Sequence, residues 1–434
     1  MEKIFNLRAY GTTVHREIVA GITTFLTMAY ILAVNPEMLG SIGNGMTPEA
    51  VFTATVIASA IAMLVMAFAA NMPIALAPGM GLNVFFTYTV VGSMGYSWQL
   101  ALTAVFLEGI VFVVLSAFKV RESIINAIPA NLKKAVAVGI GFFIALIGFS
   151  EAGIVVTDAG TIIGLGDVTA GEPLLAMLGF FIIIVLYTLK VPGSILIGIL
   201  LTTIIGIPFG VTIIPENLSL VSAPAAPLLL AFDFSPEKIL TYKFFTVFFT
   251  FLFVDVFDTV GTLVGVTTQA GLVTRDGKVP RAREALLADA VGTIAGAALG
   301  TSTVTSYVES SAGVAAGGRT GLTALTTAVL FIVALFLSPL FLLIPSAATA
   351  PALIMVGYLM IRPVASINFI EPTEGIPAFL TIVMMPFSFG IAEGIMYGVI
   401  SYVILKLAGN RFKDISALTW ILFIVFLLRF IFKS

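Results

Sequence analysis

The sequence predicts an all-α polytopic membrane protein with fourteen transmembrane spans, arranged as a 7+7 inverted repeat. Three observations predict this fold: a very apolar composition, fourteen apolar runs of membrane-spanning length, and cationic residues that follow the even-numbered runs. The first observation indicates the environment of the chain, the second the number of crossings, and the third their direction.

The composition is typical of an integral membrane protein. Of 434 residues, 59% are hydrophobic and 10% are charged, and the mean hydropathy is +1.13, whereas soluble domains carry about 25% charged residues. The net charge of −2 indicates no nucleic-acid partner, and the absence of cysteine excludes disulfides and thiolate chemistry. The single histidine, His15, precedes the first apolar run, and the N-terminus lacks the features of a secretory signal.

Fourteen apolar runs are long enough to cross a membrane. They lie near residues 17–35, 50–70, 73–91, 97–118, 132–150, 172–189, 193–210, 243–268, 285–300, 303–318, 320–344, 349–365, 374–389 and 392–409. A last run, 415–432, contains Arg429 and is interpreted as a helix on the cytoplasmic face rather than a fifteenth span.

The cationic residues test the number of spans. If the N-terminus is cytoplasmic, later cationic residues should follow even-numbered spans. Those that do so are Lys119, Arg121, Lys133, Lys134, Lys190, Arg275, Lys278, Arg281, Arg283, Arg319, Arg362, Lys406, Arg411 and Lys413. Only Lys238 and Lys243 fall on the other side. The alternation therefore supports fourteen spans and a cytoplasmic N-terminus.

Seven spans followed by seven spans suggest an inverted repeat, because an odd-numbered unit duplicated in tandem enters the membrane in the opposite direction. The third span of each half is interrupted. Span three contains Pro73, Pro78, Gly79 and Gly81, and span ten is rich in Ser, Thr and Gly. Such interruptions indicate a binding site near the middle of the membrane. The alternative is a pair of re-entrant loops that only pack.

Several carboxyl groups lie inside the predicted spans. Glu309 is in span ten, and Asp255, Asp258 and Thr262 share one face of span eight. The further intramembrane acids are Glu108 in span four and Asp289 in span nine. An acid at this depth costs about 2.5 to 3.5 kcal/mol and usually has a function. Without a cationic neighbour a desolvated carboxyl favours its protonated form, so Glu309, Asp258, Asp255 and Glu108 are candidates for proton coupling.

The polar groups also predict the chemistry of a ligand. Asp258 and Glu309 offer acceptors, and Asn83 of span three offers both a donor and an acceptor. This set suits a small planar ligand with several N–H donors, on which Tyr307 and Phe25 could stack. Each residue also has a structural alternative, which is a hydrogen bond that caps a broken helix or simple packing. No cofactor or metal ion is predicted.

Four stretches carry a resemblance to a known family. AGITTFLTMAYILAVNP, APGMGLNVFF, FVDVFDTVGTLVGV and TSTVTSYVESSAGVAAGGRTGLTA together resemble the hypoxanthine/adenine/guanine permease branch of the nucleobase/cation symporter 2 family of xanthine and uracil permeases. The resemblance implies the fold of the bacterial uracil transporter, in which the base binds between short strands in spans three and ten. Its binding residues fall on Asp258, Glu309 and Asn83.

The resemblance also implies a division into domains. The core domain would comprise 17–118 and 243–345, and the gate domain, which mediates dimerisation, would comprise 119–210 and 346–409. The remaining parts are the cytoplasmic N-terminus 1–16, a connecting segment 211–242 and a C-terminal amphipathic helix 410–434.

The chain departs from its uracil-transporting relatives in span eight. Thr262 stands where those relatives carry a histidine, and Asp258 is shorter by one methylene than their acid. The extra room fits a two-ring purine. The resemblance therefore implies a cell-membrane symporter that imports hypoxanthine, adenine or guanine, without deciding which.

The energy source and two rival functions are also addressed by the sequence. No phosphate-binding loop is present, since the only Gly-Lys pair is Gly277-Lys278, so we expect coupling to a proton, with sodium as the alternative. The GLGD stretch at residues 164–167 would suit an intramembrane aspartyl protease, but it lies in a polar segment predicted to be a glycine-rich loop outside the membrane. The other rival is a proton or solute channel.

Overall fold

A computed structural model describes residues 1–117, 129–158, 160–169, 171–215, 219–273 and 279–431. The chain is mostly helical, and eight helical stretches among these residues are long and apolar enough to cross a membrane. Ser194–Gly206 and Gly321–Leu335 are apolar but shorter. The predicted cytoplasmic residues Lys119, Arg121, Arg275 and Lys278 lie outside the described residues. The structure is therefore that of a multi-pass membrane protein, while the count of fourteen spans stays a prediction.

The helices cover Glu2–Phe5, Val14–Met28, Ile31–Gly40, Pro48–Val65, Met80–Val84, Trp98–Ala117, Ala130–Glu151, Gly171–Thr188, Ser194–Gly206, Pro236–Ile239, Tyr242–Gln269, Ala282–Leu299, Ser310–Ala315, Gly321–Leu335, Ser338–Leu342, Ser346–Ile361, Pro372–Ser388, Ile391–Ala408 and Ala417–Ile431. Met66–Ala70 and Phe85–Ser93 are π-helical, and Arg362–Ser366 and Phe412–Asp414 are 3₁₀ turns. The strands are β1 (Leu76–Pro78), β2 (Val155–Asp158), β3 (Ile162–Leu165) and β4 (Val304–Ser306).

Threonine side chains begin four of the helices. Thr13, Thr47, Thr241 and Thr320 each adopt an extended backbone conformation and accept a backbone N–H from two or three residues further along. Such a cap satisfies one of the donors that the first helical turn leaves free, and it typically contributes about 1 kcal/mol. These threonines mark the starts of the helices that correspond to predicted spans one, two, eight and eleven.

Predicted spans three and ten contain short strands. β1 and β4 pair antiparallel, with Leu76 opposite Ser306 and Pro78 opposite Val304. Pro78 fits because each strand of a two-stranded ribbon is an edge strand, where a missing N–H is tolerated. The predicted strands in spans three and ten are thereby confirmed, and short helices follow both of them.

The chain folds into two compact units. The first unit comprises Met1–Ala117 and Phe149–Ala352 and contains β1 and β4. Within it, helix Ala282–Leu299 packs against Pro48–Val65 and Trp98–Ala117. A side chain at Gly292 would lie 2.8 Å from Val304, so the glycine lets this helix approach β4 closely.

The second unit comprises Phe118–Gly148 and Leu353–Ser434. An apolar cluster holds it together, formed by Ala135, Val138, Ile367, Ala378 and Ile382. The side chain of Lys406 is buried between Glu374, at 2.8 Å, and Asp414, at 3.3 Å. The division into core and gate domains stays a prediction.

Two terminal or peripheral segments complete the fold. Residues 164–167, predicted as a glycine-rich loop, instead begin inside a β-hairpin in which β2 pairs antiparallel with β3. The β-branched residues that precede this stretch in β2 and β3, among them Val155, Val156, Ile162 and Ile163, favour extended backbone. The final apolar run forms helix Ala417–Ile431, and its position relative to the membrane stays a prediction.

Candidate functional site

The paired strands fix the segment that leads to Glu309. The Tyr307 N–H donates to the Ala75 carbonyl at 2.9 Å, and the Tyr307 hydroxyl donates to the Pro78 carbonyl at 2.5 Å. Glu309 lies two residues further along the chain and directly precedes helix Ser310–Ala315. The backbone of span three therefore determines where the carboxyl group of span ten lies.

Glu309 is held from the other side by span one. Its Oε1 accepts a hydrogen bond of 2.7 Å from the hydroxyl of Tyr30, and its carbonyl accepts one of 3.5 Å from Thr27. Tyr30 is 1% exposed and lies between helices Val14–Met28 and Ile31–Gly40. Sequence reasoning missed Tyr30. The available signal was its position shortly before Pro36, where an interruption of span one could have been expected.

Asp258 completes this group of side chains. It lies on helix Tyr242–Gln269, close enough to Glu309 for the two carboxyl groups to interact electrostatically. Tyr30 and Tyr307 interact electrostatically with both acids. Within the part of the chain that the structure describes, neither acid forms an ion pair. The structure thus joins two carboxyl groups and two phenols from spans one, eight and ten.

A second group of acids lies behind the strands and is fully buried. It contains Glu108, Asp255 and Asp289. The Thr259 hydroxyl lies 2.6 Å from Asp289 Oδ2 and 3.4 Å from Asp255 Oδ1. The carboxyl groups of Glu108 and Asp255 lie close enough to interact with each other. Two neighbouring acids can form a direct hydrogen bond only when one of them is protonated, because an ionised carboxylate only accepts.

The hydroxyl groups of span ten connect this second group to the paired strands. Thr303 donates to Glu108 Oε2 at 3.0 Å, Ser306 donates to Asp289 Oδ1 at 3.2 Å, and Thr305 lies 2.9 Å from the Thr259 hydroxyl. The same short stretch of chain therefore contacts the second acid group through its hydroxyls and carries Glu309 in the first group.

The remaining predicted residues have other neighbours. Asn83 is buried, and its Oδ1 accepts a hydrogen bond from the Ser302 hydroxyl. Phe25 packs edge-on against Phe331, with ring centroids 5.7 Å apart. Thr262 lies one turn beyond Asp258 and is 7% exposed. Contact of these three residues with a ligand stays a prediction.

The described residues contain no group of three or more His, Cys, Asp or Glu side chains placed to hold a metal ion. The oxygen atoms of the two groups of acids can accept hydrogen bonds.

Comparison with known proteins confirms the family that the four stretches resemble. The xanthine/uracil model of the permease family matches residues 15–397. The chain is 46% identical to the guanine/hypoxanthine permease PbuG of Bacillus subtilis, over 100% of both chains. It is 42% identical to the adenine permease AdeP of Escherichia coli, over 100% of this chain and 96% of that one.

A solved structure shows a similar fold at low sequence identity. The transmembrane domain of a cyanobacterium bicarbonate transporter, BicA, aligns with a TM-score of 0.64 and 17% identity. The alignment covers 89% of this chain and 97% of the other. At this identity the likeness concerns the fold alone.

Proposed function

Because the chain belongs to the xanthine/uracil permease family, we propose that it carries purine nucleobases across the cell membrane. Its relatives are permeases, so the chain is a transporter and not an enzyme. The names of the two relatives cover adenine, guanine and hypoxanthine, which are all purines. A role for residues 164–167 in peptide hydrolysis is not favoured.

The observation that carries the proposal is the closeness of Glu309 and Asp258 beside the paired strands. Two carboxyl groups that form no ion pair within the described residues offer acceptors to the ring and exocyclic N–H groups of a purine. The hydroxyl groups of Tyr30 and Tyr307 lie beside the two carboxyl groups. Asn83 would orient the base, and Thr262 and Phe25 would shape the space around it.

We further propose that transport is coupled to a proton. Glu309 and Asp258 are candidates to carry it, and the neighbouring acids Glu108 and Asp255 are further candidates. Protonation before the base binds would reduce the charge that the loaded site carries across the membrane. Sodium is the less favoured alternative, since hard cations bind several oxygen ligands at once.

Inward transport would proceed by alternating access, with displacement of the core domain against the gate domain, as the family resemblance implies. The paired strands in the third span of each half support the 7+7 inverted repeat. A cytoplasmic N-terminus and a homodimer complete the proposal.

Uptake into proteoliposomes tests this function. Radiolabelled hypoxanthine, adenine, guanine and uracil would be offered with and without an inward proton gradient to wild type, Glu309→Gln and Glu172→Gln. Glu172 is a matched control because it is an exposed acid in the first turn of helix Gly171–Thr188.

We expect gradient-driven accumulation of a purine by wild type and Glu172→Gln, and loss of it in Glu309→Gln. Purine uptake that does not depend on the proton gradient would exclude proton coupling. Absence of purine uptake in wild type would refute the function itself.

A further inference from the structure

We propose that Tyr30 is a positioning residue for the ligand, because it holds one oxygen of Glu309 and leaves the other for a purine N–H. This inference rests on the proposed function. It adds a third element, span one, to a site that the sequence placed on spans three, eight and ten.

The contact between Tyr30 and Glu309 is set by close backbone packing. A side chain at Gly313 would lie 2.0 Å from the Thr24 hydroxyl and 2.7 Å from the Ala20 carbonyl. Helix Ser310–Ala315 therefore rests directly on helix Val14–Met28, with little room for movement. This packing fixes the separation between the end of span one's first helix and the start of the helix that follows Glu309.

The chemistry of a phenol suits a carboxyl that gains and loses a proton. When Glu309 is ionised, the Tyr30 hydroxyl donates to Oε1. When Glu309 is protonated, the same hydroxyl can accept, because a phenol is both donor and acceptor. The contact can therefore survive a change in protonation and keep the orientation of the carboxyl group. Phenylalanine would fill nearly the same space but could not make the contact.

Kinetic measurements on Tyr30→Phe test the inference. We expect KM for purine uptake to rise about tenfold or more, because a hydrogen bond to a charged group is lost, while Vmax per transporter stays within about twofold. The pH profile of KM should also change, since the proton affinity of a carboxyl depends on its hydrogen-bond partner.

Tyr88→Phe is the matched control. The Tyr88 hydroxyl donates to Glu151, so this variant removes a tyrosine–glutamate hydrogen bond elsewhere in the first unit. Its KM should equal that of wild type. Because Glu309→Asp shortens the acid and breaks the contact, it should raise KM as well, and the effects of Tyr30→Phe and Glu309→Asp should be less than additive in the double variant.

Wild-type purine uptake combined with an unchanged KM and pH profile in Tyr30→Phe would overturn this inference alone. A fall in Vmax and thermal midpoint without a change in KM would also overturn it, because it would indicate a purely structural role. Failure of wild type to take up any purine would instead remove the proposed function and this inference with it.

Discussion

Glu17 is a fully buried carboxylate that caps the helix of span eleven. It accepts hydrogen bonds from the Arg319 N–H at 2.8 Å, the Thr320 N–H at 3.2 Å and the Thr323 hydroxyl at 2.6 Å. All three donors lie at the start of helix Gly321–Leu335, where the helix dipole favours negative charge. We predict that Glu17→Ala strongly destabilises the protein.

The magnitude follows from the three donors. Each buried donor left without an acceptor lowers the free energy of unfolding by about 1 to 3 kcal/mol. Three such donors would lower it by roughly 3 to 9 kcal/mol. Because water can enter the vacated space, we expect ~3 to 5 kcal/mol, similar to the loss of one partner from a buried charged pair. Glu17→Gln keeps one acceptor oxygen, so it should cost about 1 to 2 kcal/mol.

The assay is the thermal unfolding midpoint of the purified protein in detergent, and the expected order of stability is wild type, Glu17→Gln, Glu17→Ala. Glu49→Ala is the matched control, because Glu49 is an exposed acid in the first turn of helix Pro48–Val65. Removal of the Glu49 carboxylate should lower the free energy of unfolding by no more than about 1 kcal/mol. If Glu17→Ala unfolded at the same temperature as Glu49→Ala, the capping argument would be wrong.

Two further predictions concern packing and pH. A side chain at Gly357 would lie 2.5 Å from the Gly141 carbonyl, so Gly357→Ala should lower the free energy of unfolding by ~1 to 3 kcal/mol. The control Gly265→Ala meets nothing within 4 Å and should leave stability unchanged or raise it. Equal thermal unfolding midpoints for the two variants would contradict the argument. In the connecting segment, a hydrogen bond from Lys238 lowers the pKa of Asp233 to about 2. Because the unfolded pKa is about 3.9, this contact stabilises the folded state above that value and is lost as pH falls towards 2. The protection factor against hydrogen exchange in this segment, which corrects for the intrinsic pH dependence of exchange, should therefore fall over that range in wild type and stay constant in Asp233→Asn. A constant wild-type protection factor would contradict the assignment.

The sequence located the interruptions of spans three and ten correctly for physical reasons. Proline and glycine weaken a helix wherever they occur, so Pro73, Pro78 and Gly79 predicted a break in span three, and β1 lies there. A carboxyl inside an apolar run is costly in any fold. Glu108, Asp258 and Glu309 could therefore be selected without knowing their neighbours.

The sequence could not decide which acids meet. Asp255 and Asp258 share one face of a helix by spacing, yet Asp258 interacts with Glu309 whereas Asp255 lies beside Glu108. Side chains three residues apart on a helix diverge by roughly 60°, so the neighbouring spans decide their partners. The polarity of Asn83 predicts contact with a ligand, whereas its hydrogen bond with Ser302 is visible only in the structure.

By itself, the sequence determined the membrane environment of this protein, the positions of its helix breaks and the presence of acids that need a partner. These depend on local properties: hydropathy, backbone restrictions and the cost of desolvating charge. Only the tertiary structure decided that Tyr30 reaches Glu309 and that Glu17 caps a helix some three hundred residues further along the chain. Contacts between distant segments depend on how whole helices pack, and no spacing within one segment encodes them.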